Sequence, residues 1–399
     1  AKISHISRKR GYNMKNTELL FKKRVKLFKD ATKFNKPERV PILGNIWSYK
    51  VCDVGYKLSE ALFNWDIYEV VMRKFHEKYN FDVYADTGFR NPLAITRALG
   101  NTSYIINDEN NSINLPDDFC VMSLDDYDLL IENPEKYFWT VYMPKKYPGL
   151  NKSRMVEGMK EFMKYLQYLQ KIGAIMKNEY GVPGHAETVT NLPFDHLLNG
   201  LRGIKDLSLD LRRYPDKVKD ALDSLRRYFD LYDPALSPER EEGSSEDFCF
   251  DFFVPMIAHP ILNPKQFEKF YWPYIKEIID YAVAKNKTVF LWALGENSRL
   301  YDMFSEIPKG YCAIYLEQDD LFEAKKKIGN NMALVGGFPT TLLSQGTKQE
   351  CIDYAKKLID ELNTDGGYIF GADKMITFRR DCNPENLKAI NEFVLNYTN

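Results

Sequence analysis

The sequence predicts an α/β fold, a TIM (β/α)8 barrel with an N-terminal helical extension and an insertion after strand two. Three observations carry this. Short apolar runs rich in β-branched and aromatic residues alternate with amphipathic segments of helical period, the order expected of a parallel sheet. Eight such runs can be counted along the 399 residues. The sharpest of them, Thr288 to Trp292, ends in the polar turn Gly295-Glu296-Asn297, the strand-to-loop transition at which barrels of this kind place their chemistry.

Taken in order, residues 1–13 are polar, precede Met14, and are expected to form a disordered extension, leaving 14–399 as one domain. Glu18 to Phe34 carries Leu19, Leu20, Phe21, Val25, Leu27 and Phe28 among lysines and reads as a helix ending before Pro37. Val40 to Trp47 is a buried strand, Leu58 to Tyr79 a long amphipathic helix, and Asp82 to Asp86 a second strand. From Thr87 to Pro148 the pattern loosens into the insertion, with a hairpin or loop tip at Asn107 to Asn111. Its aromatics, Tyr137, Phe138, Trp139 and Tyr142, either line a pocket or pack a small core of their own.

A helix over Ser153 to Asn178 precedes strand three at Glu187 to Leu192, with helical segments at Leu198 to Ile204 and Asp216 to Phe229 and a charged loop at Ser237 to Asp247. The second half is more regular. Strands are expected at Phe252 to Ile257, Thr288 to Trp292, Tyr311 to Leu316, Ala333 to Val335 and Gly367 to Phe370. Helices are expected at Pro264 to Lys285, Ser298 to Ser305, Asp320 to Ile328, Lys348 to Leu362 and Pro384 to Asn396.

Composition narrows the function classes. Basic and acidic residues, 55 and 56, are interspersed, so no basic face for nucleic acid stands out. No run of 18 apolar residues and no export signal is present, so a cytoplasmic protein with no membrane partner is expected. The six cysteines show no metal-type or disulfide spacing and suit reduced thiols.

Several phrases resemble one family. They are KPERVPILGN (36–45), LRGIKDLSLDLRRYPDKV (201–218), NPKQFEKFYWPYIKEIID (263–280), FLWALGENSRL (290–300), ALVGGFPTTLLSQGT (333–347), GGYIFG (366–371) and NPENLKAI (383–390). Together they are similar to the uroporphyrinogen decarboxylase superfamily, which implies a single TIM barrel. Nothing after Val40 resembles the arginine-rich signature of the decarboxylases proper. The FYWP phrase and the stretch from Ser298 to Gly310 look instead like the corrinoid-dependent methyltransferases of O-demethylase systems.

That branch implies transfer of a methyl group from a small O-methyl or N-methyl substrate to the cobalt(I) of a corrinoid (cobalamin) carried by a partner protein. The oligomeric state, monomer or homodimer, stays open. Relatives of this kind hold zinc as a Lewis acid through a His-x-Cys pair after strand five and a Cys after strand eight, or a Glu and His variant. Here the first set falls on Trp292, Leu294 and, near the last position, Lys374; the variant falls on Ala293 or Leu294 and on Tyr315. None of these is a zinc ligand, so no zinc and no metal site is expected.

The candidate residues follow from the strand ends. Lys374 or Tyr315 could replace the metal by stabilising charge on the departing heteroatom, although a surface lysine and a core tyrosine are the plainer alternatives. His259 has the placement for acid–base work, or for a structural hydrogen bond. Glu296 could orient a substrate or cap a helix, and Glu317 opens an acidic run that could be a helix start. Asn45, Trp47, Tyr84, Asp86, Trp292, Glu317 and Phe370 are the substrate-binding candidates, with aromatics suited to an aromatic ether or a quaternary ammonium. Two competing functions remain: a decarboxylase-like lyase, which needs mouth arginines for which Arg90, Arg97 and Arg299 are the candidates, and a non-catalytic ligand-binding barrel.

Overall fold

A computed structural model describes residues 2–84, 93–114, 120–230 and 241–398, with the side chains of 2–15 and 230 left aside. The expected TIM-type barrel is present. Helix α1 (Lys2–Thr32) is followed by α2 (Trp65–Tyr79), then by a hairpin of β1 (Ile105–Asn107) and β2 (Ser112–Asn114) and by the long helix α3 (Lys152–Ile175). Six parallel strands then come in sequence order: β3 (Gly184–Val189), β4 (Phe248–Met256), β5 (Val289–Ala293), β6 (Cys312–Leu316), β7 (Ala333–Phe338) and β8 (Tyr368–Ala372). Helices over Pro215–Asp230, Trp272–Ala284, Lys348–Leu362 and Pro384–Asn396 punctuate this order.

The first two barrel positions are much shorter than β3 to β8. Ile42 pairs in parallel with Phe370 and Ile46 with Ile376, while Tyr84 pairs with Gly184. Local chemistry explains the brevity: Pro41 has no N–H to give a ladder, and the Ile46 N–H turns back to the Gly44 carbonyl at 2.7 Å, a tight turn that ends extended pairing. The seam between these two segments is joined through a side chain. Buried Asp82 accepts the Ile42 N–H at 3.0 Å and hydrogen bonds from Arg39 and Arg24.

Alternation along the strands sorts each residue to one face. Leu43, Val83, Phe290, Ala313, Tyr315, Ala333, Val335 and Ile369 fill the interior, with Trp292 and Leu294 packed against them. Strand β4 breaks the alternation by a bulge at which Asp251 and Phe252 both donate to the Thr288 carbonyl, so that Phe250 and Phe253 both face inward. Phe28 and Ala31 of α1 belong to the same interior cluster, Phe28 lying edge-on to Phe250 at 6.0 Å. Because Phe250, Ala313 and Ala333 open their strands, α1 plugs the amino-terminal end of the barrel and leaves the carboxyl end as the working mouth.

Element bounds differ from expectation where a local residue overrules the apolar pattern. Strand three lies earlier, at Gly184–Val189, because small Gly184 can sit against the Phe248 ring of its neighbour. The helix expected over Leu58 to Tyr79 is split by Asn64, whose side chain accepts the Asp66 and Ile67 N–H groups as an N-cap. That over Pro264 to Lys285 is split at Tyr271, two residues before Pro273. The hairpin expected at 107–111 forms. Three of the insertion's aromatics pack among themselves and on the helix Pro215–Asp230, Tyr137 being buried, Phe138 stacking on Tyr228 at 5.1 Å and Tyr142 standing edge-on to Phe138 at 5.2 Å, while Trp139 is 55% exposed. No helix among the described residues is long and apolar enough to cross a membrane. All six cysteines are free thiols, and only Cys120 is exposed.

Candidate active site at the barrel mouth

The mouth is built from inward positions at the carboxyl ends of the strands. The Trp292 and Tyr315 rings, from adjacent strands β5 and β6, lie 4.7 Å apart, and Phe253 of β4 stands edge-on to Trp292 at 5.7 Å. Behind Phe253, buried His185 meets it edge-on at 5.0 Å and is held neutral by burial, its pKa near 4. Tyr315 donates its hydroxyl to the Asp373 carbonyl at 2.5 Å. Burial, reinforced by the negative charges of Glu317 and Asp373, keeps that hydroxyl protonated well beyond the usual range; the neighbouring Asn45 amide acts weakly in the other direction.

Asn45 has a distinct position. It follows inward-facing Leu43 by two residues, is only 4% exposed, and lies beside the Tyr315 hydroxyl with no hydrogen bond of ordinary geometry at either end of its amide. A buried amide without well-formed hydrogen bonds is costly in a folded protein and marks a place where a further partner belongs. Glu317 is fixed by one contact, the Gly295 N–H at 2.8 Å, and the Asp373 carboxylate accepts the Thr340 N–H at 2.9 Å. Among the described residues neither carboxylate pairs with a lysine or arginine.

The structure therefore brings Asn45, Trp292, Tyr315 and Glu317 together. Trp47 stands at the rim, its backbone N–H donating to the Ile376 carbonyl at 2.8 Å. Lys374 is also at the rim, 45% exposed and bonded to Asp381 at 2.9 Å. Glu296 is exposed and accepts the Ser298 N–H at 2.7 Å, a cap on the turn that follows.

Three candidates lie elsewhere. Tyr84 follows inward Val83 and so points outward, into the cluster of α2 and α3 residues. Phe370, between inward Ile369 and Gly371, packs on Phe338 at 5.7 Å beneath the helices. His259 is fully buried against Phe267 and Tyr271 and bonds to Asn297 at 2.7 Å. Since the Asn297 nitrogen is spent on the Gly295 carbonyl and Asp319, its oxygen faces His259, which donates from Nε2 and is neutral with a pKa near 4. His259 thus braces the loop after β5. Asp86, like Arg90, lies outside the described residues.

Asp373, Phe253 and His185 belong to this site although strand-end reasoning did not single them out. For Asp373 the signal was present in the inward series Ile369, Gly371, Asp373. The other two arginines considered for a lyase are already engaged: Arg299 with the Leu262 carbonyl at 3.3 Å and with the Glu296 carboxylate at 3.6 Å, and Arg97 over the Phe63 ring at 3.6 Å.

The donor set does not fit zinc. Trp292 and Leu294 are carbon surfaces packed into the interior cluster, Lys374 is a cation, and among the described residues no three His, Cys, Asp or Glu side chains converge on one point.

A parallel α/β barrel closed at one end and carrying a polar and aromatic site at the other defines a class of enzyme scaffold. The uroporphyrinogen decarboxylase (URO-D) family model matches residues 155–397, more than half of the chain, so the chain belongs to that family. A solved methyltransferase from Methanosarcina mazei is similar in fold, with a TM-score of 0.58 over 92% of this chain and 97% of its own at 16% identity. No curated protein matches the sequence.

Proposed function

We propose that this chain is a methyltransferase that takes a methyl group from a small O-methyl or N-methyl compound and delivers it to the reduced corrinoid of a separate protein, with no zinc in the barrel. Family membership and the likeness in fold to a methyltransferase support the reading; the observation that carries it is the buried Asn45 amide, without well-formed hydrogen bonds, beside Tyr315 in an aromatic mouth that lacks a zinc donor set. Bound at the mouth, the corrinoid supplies a cobalt nucleophile.

The chain's own residues do the rest. Trp292 and Phe253 exclude water and present flat apolar faces to a methyl-bearing group. Asn45 holds and orients the donor by whichever amide end its polar atoms require, fixing the methyl carbon in line for displacement. Tyr315, kept as a phenol with its proton on the Asp373 carbonyl, turns its hydroxyl oxygen toward the donor, while Lys374 and Glu296 stand at the rim already paired with Asp381 and Arg299.

The test is a methyl-transfer assay in which the purified chain, chemically reduced cobalamin as a stand-in for the protein-bound corrinoid, and a panel of methyl ethers and methylamines are followed by the absorbance of methylated cobalamin. Transfer that survives chelation is expected. Transfer abolished by a chelator and restored by zinc, or none from any donor, would overturn the proposal.

A further inference from the structure

We infer that the methyl donor this mouth accepts is a cation, a quaternary methylammonium compound. The inference rests on the methyl-transfer reading and narrows its substrate class. Two carboxylates, Glu317 and Asp373, lie close enough to Tyr315 for their charges to act on its hydroxyl, and each is tied down only by a backbone N–H. Neither has a cationic partner among the described residues. Lys374, the adjacent cation, is committed to Asp381, which also accepts the Thr377 and Phe378 N–H groups at 2.9 and 2.8 Å.

The charges face an aromatic wall. Trp292 is the part-exposed ring of the wall, backed by buried Tyr315 at 4.7 Å and by Phe253 at 5.7 Å, and a ring so placed attracts a weakly hydrated cation by its face. Asn45 supplies the independent sign of a ligand: an amide 4% exposed with no hydrogen bond of ordinary geometry at either end, placed on the inward face beside the same hydroxyl. It suits the polar tail of a donor whose trimethylammonium head sits against the rings.

The chemistry agrees with the charge. An ether would leave as an oxyanion, and negative charge developing between two carboxylates is disfavoured. A quaternary ammonium leaves differently. The C–N bond breaks with its electron pair on nitrogen, a neutral tertiary amine departs without needing a proton, and the methyl carbon bonds to the reduced corrinoid's electron pair. Two negative charges then stabilise the substrate, while the water-excluding rings release a neutral product.

Calorimetric titration of the full chain separates the cases. The probes are choline, the neutral carbon isostere in which a quaternary carbon replaces its nitrogen, and methyl phenyl ether. Choline is expected to bind at least about tenfold more tightly than its isostere, the scale of one desolvated cation–π contact. Glu317→Gln is expected to narrow that ratio. Equal affinity for choline and isostere in the unaltered chain, or binding of the ether alone, overturns the inference without recourse to any variant. The transfer assay distinguishes the two readings. Charge-selective choline binding with no methyl delivered to reduced cobalamin would leave the cation site standing and sink the methyltransferase reading. Methyl delivered from the ether, with choline unbound, would do the reverse.

Discussion

Gly336 sets where Tyr315 can sit. Its φ of +103° lies in the region only glycine enters freely, and a methyl group there would meet the Tyr315 ring at 3.2 Å and the Ala372 carbonyl at 3.1 Å. Gly336→Ala is therefore expected to cost about 1–3 kcal/mol in backbone strain and to push the Tyr315 ring against Trp292. Urea unfolding would read the first effect and Trp292 fluorescence the second; an unchanged emission spectrum would mean that the ring pair tolerates the methyl. At this scale the sequence was readable where strand parity could be followed. Asn45, Trp292, Tyr315 and Glu317 are strand-end residues that do converge. The same alternation, carried on from Val83 and Ile369, would have placed Tyr84 and Phe370 on the outer face. His259 could not be read this way, because the partner that identifies its role, Asn297, comes from another strand's loop.

Among the elements, α1 and the two short barrel segments depend on one buried charge cluster. Asp82 is fully buried and bonds to Arg39 at 2.6 and 2.7 Å, to Arg24 at 3.3 Å and to the Ile42 N–H, while Arg24 also donates to the Gly181 carbonyl at 3.0 Å. Replacing Asp82 with alanine would strand two guanidinium groups at the seam. The expected loss is about 3–5 kcal/mol, the range for removing one partner of a buried ion pair, measured as a lowered urea midpoint. A loss below about 1 kcal/mol would show that water reaches the cluster, as it does at surface pairs. The alternating order of strands and helices made the barrel legible, and Pro273 and Asn64 carried the signals for the two helix breaks. What composition concealed was the shortness of the first two strands. VPILGNIW is apolar enough for a long strand, but the missing Pro41 N–H and the turn back to Gly44 are backbone effects that hydrophobicity does not report.

For the molecule as a whole, the described histidines set the response to acid. His76, His185, His196 and His259 are buried and kept neutral, with pKa values near 3, 4, 4 and 4 against 6.5 in an open chain. Burial is the first cause in each. Because their folded pKa values are depressed, the unfolded chain binds more protons below pH 6.5, so their stabilisation is complete above 6.5 and is lost as the pH falls toward 4. Each contributes on the order of 3 kcal/mol to this acid sensitivity. Asp195 acts in the opposite sense. Burial raises its pKa to about 6 from 3.8, so its contribution is present at low pH and is lost as the pH rises through 6. Four groups outweigh one, and the urea midpoint is expected to fall steadily from pH 7 to pH 5. A flat profile would mean that these imidazoles titrate as in open solution.

The pairing of Ile42 with Phe370 has a temporal side. The ribosome delivers residues 40–47 before any of β3 to β7, but the strand they must lie against emerges only after all of those. Strands β3 to β8 meet no such delay, since each is laid beside the one made just before it. Throughout synthesis the nascent chain thus carries a growing open sheet and an amino-terminal segment whose partner does not yet exist. Closure of the ring waits for β8, and a chain cut short before that strand cannot reach it.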